Sequence, residues 1–415
     1  MSYWSTLWTW LSWRISTILH SGWTGIFWVQ PHWGVDDIPD QTGKVALITG
    51  GNSGTGYATA LALYNAGATV YIACRDLTRA QEAADDIVKG GDRGIWGVRY
   101  PKQGTQRSVK EKDVVTQLPI EDLAGAGLNG LWRAKHIRGA QFEKDNGQRT
   151  KGRIEIIQLD LADLASVDKC ADEFLSKEKH IDLLYCNAGV MATNEGLYTK
   201  QGYTLQFGTN VLGHHRLITR LLPTLLQNGP QEPARVIITS SAGHGFAPPN
   251  GLDIPSLTRS PEDPPLPASS SSIIKASRGK YELEKWAAYG QSKWGDIALA
   301  RWLEDTYGKQ GRLISVAVHP GLIASNLANH LPGVGFILKL TAYAPWIVNV
   351  VTRSPATGAL NQLYAGTIPL PFAWYLNGQY VVPFGVVGEM RPDLWDIKNV
   401  HQVWDWCVEQ GKKFN

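Results

Sequence analysis

The fold class predicted for this chain is α/β: a doubly wound, mostly parallel sheet, forming a single domain with two loop insertions. Three observations predict it. Apolar runs of strand length alternate with segments of helical pattern, each pair in the size range of a βα unit. The first run, Val45–Ile48, passes directly into a glycine-rich turn, Thr49-Gly50-Gly51-Asn52-Ser53-Gly54-Thr55-Gly56. Polar and glycine signals then recur where later strands end, at Arg75, Asp160, Asn187-Ala188-Gly189, Ser240-Ser241 and Pro320-Gly321. In open parallel sheets ligands sit beyond those carboxyl ends, so the convergence carries more weight than any one motif.

Taken in order, residues 1 to 30 hold six tryptophans and one formal charge, Arg14. Trp4, Leu7, Trp8, Leu11, Ile15, Ile18 and Leu19 share one helical face. Ser, Thr, Arg14 and His20 interrupt what a membrane-spanning helix would need, and the basic start of a signal peptide is absent. Tryptophan favours the headgroup boundary, so the leading expectation for residues 1–35 is an interfacial helix touching a membrane surface. The alternative is that these rings cover the domain that follows or a partner subunit. Pro31, Pro39 and Gly43 read as a linker into the domain at 36–415.

The glycine turn leads into a helix to about Ala66, a strand at Thr69–Ala73 and a helix to about Lys89. Residues 91–152 then break the rhythm with glycine and charge and no sustained period, and read as an insertion. Regular pattern resumes with strand Ile154–Leu159, helix Leu164–Lys177 and strand Ile181–Cys186. A long helix from about Thr204 to Gln227 carries Asn210, and strand Arg235–Thr239 ends at Ser240-Ser241. Residues 247–280, rich in Pro and Ser, form the second loop. A helix from about Leu283 to Thr306 holds Tyr289 and Lys293, and strand Leu313–Val318 ends in His319-Pro320-Gly321. A helix near Ala356–Tyr364, a strand at Gln379–Val382 and a helix near Asp396–Gln410 close the chain.

Composition excludes several classes. The net charge of +3, from 40 basic and 37 acidic residues, is too balanced for nucleic-acid binding. Cys74, Cys170, Cys186 and Cys407 are scattered without metal-like spacing and suit buried reduced thiols, and no Asn-x-Ser/Thr sequon occurs. An intracellular location is expected, cytoplasmic or on the cytosolic face of an internal membrane. His214, His215 and His319 lack the carboxylate or cysteine companions of a metal site, so no metal is expected.

Strand, glycine turn, helix and strand within about 30 residues form a βαβ unit of the dinucleotide-binding (Rossmann) kind. Gly50, Gly54 and Gly56 allow the tight turn, the close approach of backbone to pyrophosphate and the packing of helix on strand. Asn52 and Ser53 can add phosphate contacts at the helix N-terminus. Tyr289 and Lys293 are four apart and share a helical face. A phenol ordinarily titrates near about 10, and an ammonium within about 4–6 Å favours the phenolate and brings the proton into working range. Ser241 can hold a substrate carbonyl while Tyr289 donates or accepts the proton. His244, just past Ser241, suits a surface or capping role, with lining the pocket as the alternative. Arg75 at the end of the second strand suits the 2′-phosphate of NADP, where an acidic residue would suit NAD; the plain alternative is an Arg75–Asp76 pair.

Taken together, Thr49-Gly50-x-x-x-Gly54-x-Gly56, Asp160-Leu161, Asn187-Ala188-Gly189, Asn210 in Asn-Val-Leu-Gly-His, Ser240-Ser241, Tyr289-x-x-x-Lys293 and Pro320-Gly321 make the chain resemble the short-chain dehydrogenase/reductase family. The resemblance spans residues 44 to about 383 and is nearest the retinol-dehydrogenase and WW-domain-oxidoreductase type in fungi. It implies Ser241, Tyr289, Lys293 and Asn210 as catalytic residues, with Asn210 holding a water in the proton path. It also implies that Lys293 binds the nicotinamide ribose, that Asn187 and Pro320 lie along the cofactor with Thr49 and Gly50, and that Asp160 lies near the adenine. Ser325 stands where the family usually has Thr against the carboxamide. Cys-Arg-Asp after the second strand resembles NADP users. Thr55 replaces a usual Ile or Leu, the gap from Ser241 to Tyr289 is longer than usual, and the 91–152 insertion has no counterpart.

The expected activity is an NADP-dependent interconversion of an alcohol and its carbonyl. The aromatic and aliphatic residues around Leu331–Trp346, where this fold carries a substrate flap, suggest an apolar substrate. Terpenoid, steroid-like or other lipid-like carbonyls are the candidates, including intermediates of fungal secondary metabolism. Relatives are often dimers or tetramers, so a homo-oligomer is compatible. The rival readings are a non-catalytic NAD(P)-binding sensor or scaffold, and a nucleotide-sugar epimerase or dehydratase.

Overall fold

The computed structural model describes residues 33–91, 150–259, 262–266, 271–321, 323 and 354–414. The Trp-rich residues 1–32, nearly all of the 91–152 insertion, the apolar stretch 324–353 and Ser325 lie outside the described residues. Among the described residues no helix is long and apolar enough to cross a membrane.

Ten strands are described: β1 (Val45–Thr49), β2 (Thr69–Cys74), β3 (Arg153–Gln158), β4 (Leu183–Cys186), β5 (Leu197–Thr199), β6 (Ala234–Thr239), β7 (Ile273–Lys275), β8 (Leu313–Val318), β9 (Tyr380–Val382) and β10 (Val386–Val387). Eight form one sheet in the order β10-β9-β8-β6-β4-β1-β2-β3, parallel throughout except for β10, which returns antiparallel to β9. Every residue of β1, β4 and β8 is buried, as expected of strands covered by helices on both faces.

The order records the chain's path. From β1 it moves outward through β2 and β3, then returns to the other side of β1 as β4 and continues outward through β6 and β8. Connections therefore leave β1 and β4 in opposite directions, which opens a crevice above their carboxyl ends. One face is packed by α1 (Gly54–Asn65), α2 (Leu77–Val88), α6 (Pro355–Thr367) and α7 (Leu370–Tyr375), through Ala58, Leu61, Ala84 and Leu363. The other is packed by α3 (Leu164–Lys177), α4 (His214–Leu225), α5 (Lys285–Leu303) and α8 (Ile397–Lys412), through Phe174, Leu221, Trp294 and Val403.

Two departures from the sequence pattern bear on function. The long helix expected over 204–227 is not uniform: a π-helical segment, Gly208–Gly213, separates Leu205–Phe207 from α4, and Asn210 sits within it. π segments leave backbone groups out of the regular ladder and are frequent at functional sites. The second loop, expected over 247–280, contains β7, which pairs antiparallel with β5 in a small second sheet. Periodicity misses both strands because each is only three residues long. All four cysteines are buried and free, as expected.

Candidate active site

The glycine turn closes over the end of β1. Gly50 and Gly54 adopt φ of +68° and +58°, which L side chains rarely do. A Cβ on Gly56 would lie 2.4 Å from the Gly50 carbonyl oxygen and 2.6 Å from Asn187 Nδ2, so only glycine lets α1 approach this closely. Ser53 is the N-cap residue of α1, yet its side chain makes no capping bond, and it is exposed beside half-buried Asn52. A helix N-terminus whose N-cap hydroxyl makes no capping bond fits a phosphate.

Thr49 is wholly buried, and its hydroxyl organises the crevice floor. Thr49 Oγ1 accepts from the backbone N–H of Asn187 and of Ala188, each at 2.9 Å, and lies 3.0 Å from His214 Nε2. His214 Nδ1 is 2.8 Å from the Asn210 carbonyl, which can only accept, so Nδ1 carries the proton and Thr49 donates to Nε2. Burial, with a smaller contribution from Lys293, pushes His214 down to about 4 and keeps it neutral. Asn187 Nδ2 donates to the Thr49 carbonyl at 3.0 Å, and Asn187 Oδ1 accepts from Thr55 Oγ1 at 2.8 Å. Thr55 thus ties the glycine turn to the end of β4. Thr49 acts here through its neighbours, its own hydroxyl being fully committed.

The three groups expected to do the chemistry meet beyond β6. Lys293 Nζ donates to the Thr239 carbonyl and to Asp296 Oδ2, both at 2.8 Å, and Ser240 Oγ donates to the Lys293 carbonyl at 2.7 Å. These bonds fasten α5 to the carboxyl end of β6. Ser241 caps the short 3₁₀ turn Ala242–Phe246, its Oγ accepting from Gly243 N at 3.0 Å. A Cβ on Gly290 would stand 2.5 Å from Ala247 N, so glycine there lets the turn lie against α5. At Gly243 a Cβ would be 2.7 Å from Tyr289 Cε1 and 3.4 Å from Ser241 Oγ, so phenol ring and hydroxyl border one spot. Lys293 Nζ is 5.9 Å from the Tyr289 ring centroid. Phenol, ammonium and hydroxyl are therefore gathered at one end of the sheet.

Asn210 is 0% exposed and engages its side chain fully as a donor. Its Nδ2 donates to the Val190 carbonyl and Ser292 Oγ, each at 2.9 Å, while Oδ1 accepts from Val190 N at 2.8 Å. A water at Asn210 could be received only on a remaining oxygen lone pair. Asp160 is also engaged: Oδ1 accepts from Ala162 N at 2.9 Å, and Oδ2 accepts from Ser272 Oγ in the second loop. Arg75 is exposed, and the expected alternative of an Arg75–Asp76 pair is not what forms. Asp76 caps α2 by accepting from Arg79 N at 3.1 Å, leaving Arg75 without an ion pair among the described residues. Pro320 is half-buried after β8, followed by Gly321 at φ +89°.

Sequence reading gives no role to Asp296, Ser292, His214 or Gln362. Asp296 is legible all the same: with Tyr289 and Lys293 it continues one helical stripe at i, i+4, i+7. Gln362 Nε2 donates to the Thr55 carbonyl at 3.3 Å from α6, a contact across 307 residues that no local pattern reveals. His244 Nδ1 lies 2.7 Å from the Ser241 carbonyl and fixes the turn that carries the hydroxyl. A groove of about 450 Å³ along α8, lined by Ile254, Lys398, His401 and Glu409, contains none of these residues.

Comparison with known proteins gives the family. A family model described as short chain dehydrogenase matches residues 122–252. A short-chain dehydrogenase/reductase of Armillaria gallica is 33% identical over 93% of this chain and 96% of its own. One from Emericella nidulans is 28% identical over 91% and 96%, and human retinol dehydrogenase 14 is 27% identical over 86% of each chain. A crystal structure of an uncharacterised protein from Mycobacterium Paratuberculosis shares the fold, with a TM-score of 0.56 at 24% identity, over 92% of this chain and 97% of that one. The chain belongs to the short-chain dehydrogenase/reductase family. It is an oxidoreductase of a fold that binds NAD(P), and its substrate is a small molecule.

Proposed function

We propose that this enzyme uses NADP to interconvert an alcohol and its carbonyl on an apolar, lipid-like or terpenoid substrate, as in fungal secondary metabolism. The observation that carries the reading is the gathering of Ser241, Tyr289 and Lys293 beyond β6, beside the crevice at β1 and β4. The crevice fits a dinucleotide. Gly50, Gly54, Gly56, Asn52 and Ser53 would hold the pyrophosphate, Asn187 and Pro320 would lie along the cofactor, and Asp160 would sit at the adenine side. Arg75, exposed and unpaired among the described residues, would take the 2′-phosphate. The bound nicotinamide supplies or accepts the hydride.

Ser241 Oγ orients the substrate oxygen, and Tyr289 Oη passes it a proton or takes one away. Lys293 favours the phenolate by its charge, and its third N–H, unused among the described residues, can meet a ribose hydroxyl, since two are held by Thr239 and Asp296. Asn210, in the π segment, supports the wall through Val190 and Ser292. Half-buried Trp286 stands edge-on to Tyr289 at 6.4 Å between ring centroids, and Phe246 is 6.5 Å from Trp286. That aromatic wall favours an apolar substrate.

The test is oxidation of NADPH and NADH, side by side, with a panel of terpenoid and steroid carbonyls on wild type and Tyr289→Phe. Turnover preferring NADPH and lost in the variant is expected. Equal rates in both proteins would refute the assignment of Tyr289.

A further inference from the structure

Asp296 carries a charge buried beside the Lys293 ammonium. It is 1% exposed, on the stripe of α5 that bears Tyr289 and Lys293. Its Oδ2 accepts from Lys293 Nζ at 2.8 Å, but Oδ1 has no hydrogen-bond partner among the described residues. Buried polar atoms are almost always partnered, so a half-used buried carboxylate asks for an explanation. Hydrogen bonding alone does not give one: the carboxylate also supplies the charge that answers the buried Lys293 ammonium, which a neutral asparagine oxygen would not.

Resting on the assignment of Tyr289 as acid/base, we propose that Asp296 sets the working pH of that residue. Its carboxylate positions the Lys293 ammonium against the Thr239 carbonyl and offsets part of the positive charge that Lys293 presents to the phenol. Asp296 touches neither substrate nor cofactor; it is a positioning residue that acts through Lys293.

The surroundings are consistent with an ionised carboxylate at neutral pH. Burial raises Asp296 to about 6, against the lowering influence of Lys293. Burial works to lower Lys293, but Asp296 and Tyr289 outweigh it and hold the ammonium above its ordinary range. From neighbouring elements the titratable groups facing Asp296, Lys293 and Tyr289 are Cys186 on β4, pushed up by burial and by Asp296, neutral His214 at the start of α4, and Tyr380 on β9, pushed up by burial and by Tyr289. None supplies a competing charge at neutral pH, so Asp296 is the anion that answers Lys293.

Seven residues along a helix separate the carboxylate from the phenol by about 10 Å. At an effective dielectric constant of about 20, deleting one charge at that range shifts a titration by about one pH unit. The experiment requires no substrate. The ultraviolet absorbance of tyrosinate is followed with pH for the full chain and for its Tyr289→Phe variant, and their difference isolates Tyr289. The same pair is then measured with Asp296→Asn.

Ionisation of Tyr289 displaced by about one pH unit in Asp296→Asn is expected, downward where Lys293 keeps its charge and upward where it loses its proton, with Asp296→Glu titrating like the wild type. An unchanged midpoint overturns the proposal. If Asp296→Asn does not fold, Asp296→Ser makes the same comparison. Turnover of a terpenoid carbonyl by Tyr289→Phe tests the acid/base assignment separately: persistence there would refute that assignment, whereas an unmoved midpoint refutes only the role of Asp296.

Discussion

Four buried histidines should make this protein unusually sensitive to mild acid. Burial pushes His214 and His244 down to about 4, and His215 and His319 to about 3, against about 6.5 for an ordinary imidazole. Below about pH 6.5 the unfolded chain binds protons that the folded protein refuses. Their contribution to stability is complete above that pH and falls away as pH drops toward 3 to 4. Asp296 works in the opposite sense, since the folded protein protonates it at about 6, well before the unfolded carboxylate. Near pH 5 the balance is about three protons, or about 4 kcal/mol per pH unit. Set against a typical total of about 5–15 kcal/mol, such a slope unfolds the domain within a few pH units of neutrality.

The assay is urea unfolding, followed by tryptophan fluorescence, at several pH values between 7 and 5. His215→Phe should lessen the slope by about one proton, about 1.4 kcal/mol per pH unit. The substitution keeps a ring against Trp404, whose centroid is 4.4 Å from that of His215. A stability that stays flat from pH 7 to 5 would refute the reasoning. So would a His215→Phe variant with an unchanged slope.

Other outcomes follow from the site. Gly56→Ala places a methyl 2.4 Å from the Gly50 carbonyl oxygen and should cost about 1–3 kcal/mol while weakening NADPH binding at least about tenfold; thermal melts and fluorescence titration with NADPH check both. Arg75→Ala should raise KM for NADPH about tenfold, consistent with loss of one exposed charge-assisted contact, and leave NADH nearly unchanged; steady-state kinetics with the two cofactors decide it. Ser241→Ala should lower kcat by about 10²–10⁴ with little effect on Tm, because among the described residues its hydroxyl oxygen serves only the cap at Gly243.

The sequence by itself determined the sheet and the chemical inventory. Continuous apolar runs mark strands buried on both faces, glycines mark where a turn must accept positive φ, and Tyr289 and Lys293 share a face by helical period alone. Those are local signals, readable within one element. Tertiary structure decided how committed each group is. Thr49 and Asn210, expected at the ligand from the primary order, also hold the crevice together through hydrogen bonds to Asn187, His214, Val190 and Ser292. Asp160 is joined to Ser272 from a loop more than a hundred residues later, and Lys293 is shared between a strand carbonyl and Asp296. Such bonds depend on which strand ends the crossovers bring side by side, and hydrophobic periodicity holds no record of that.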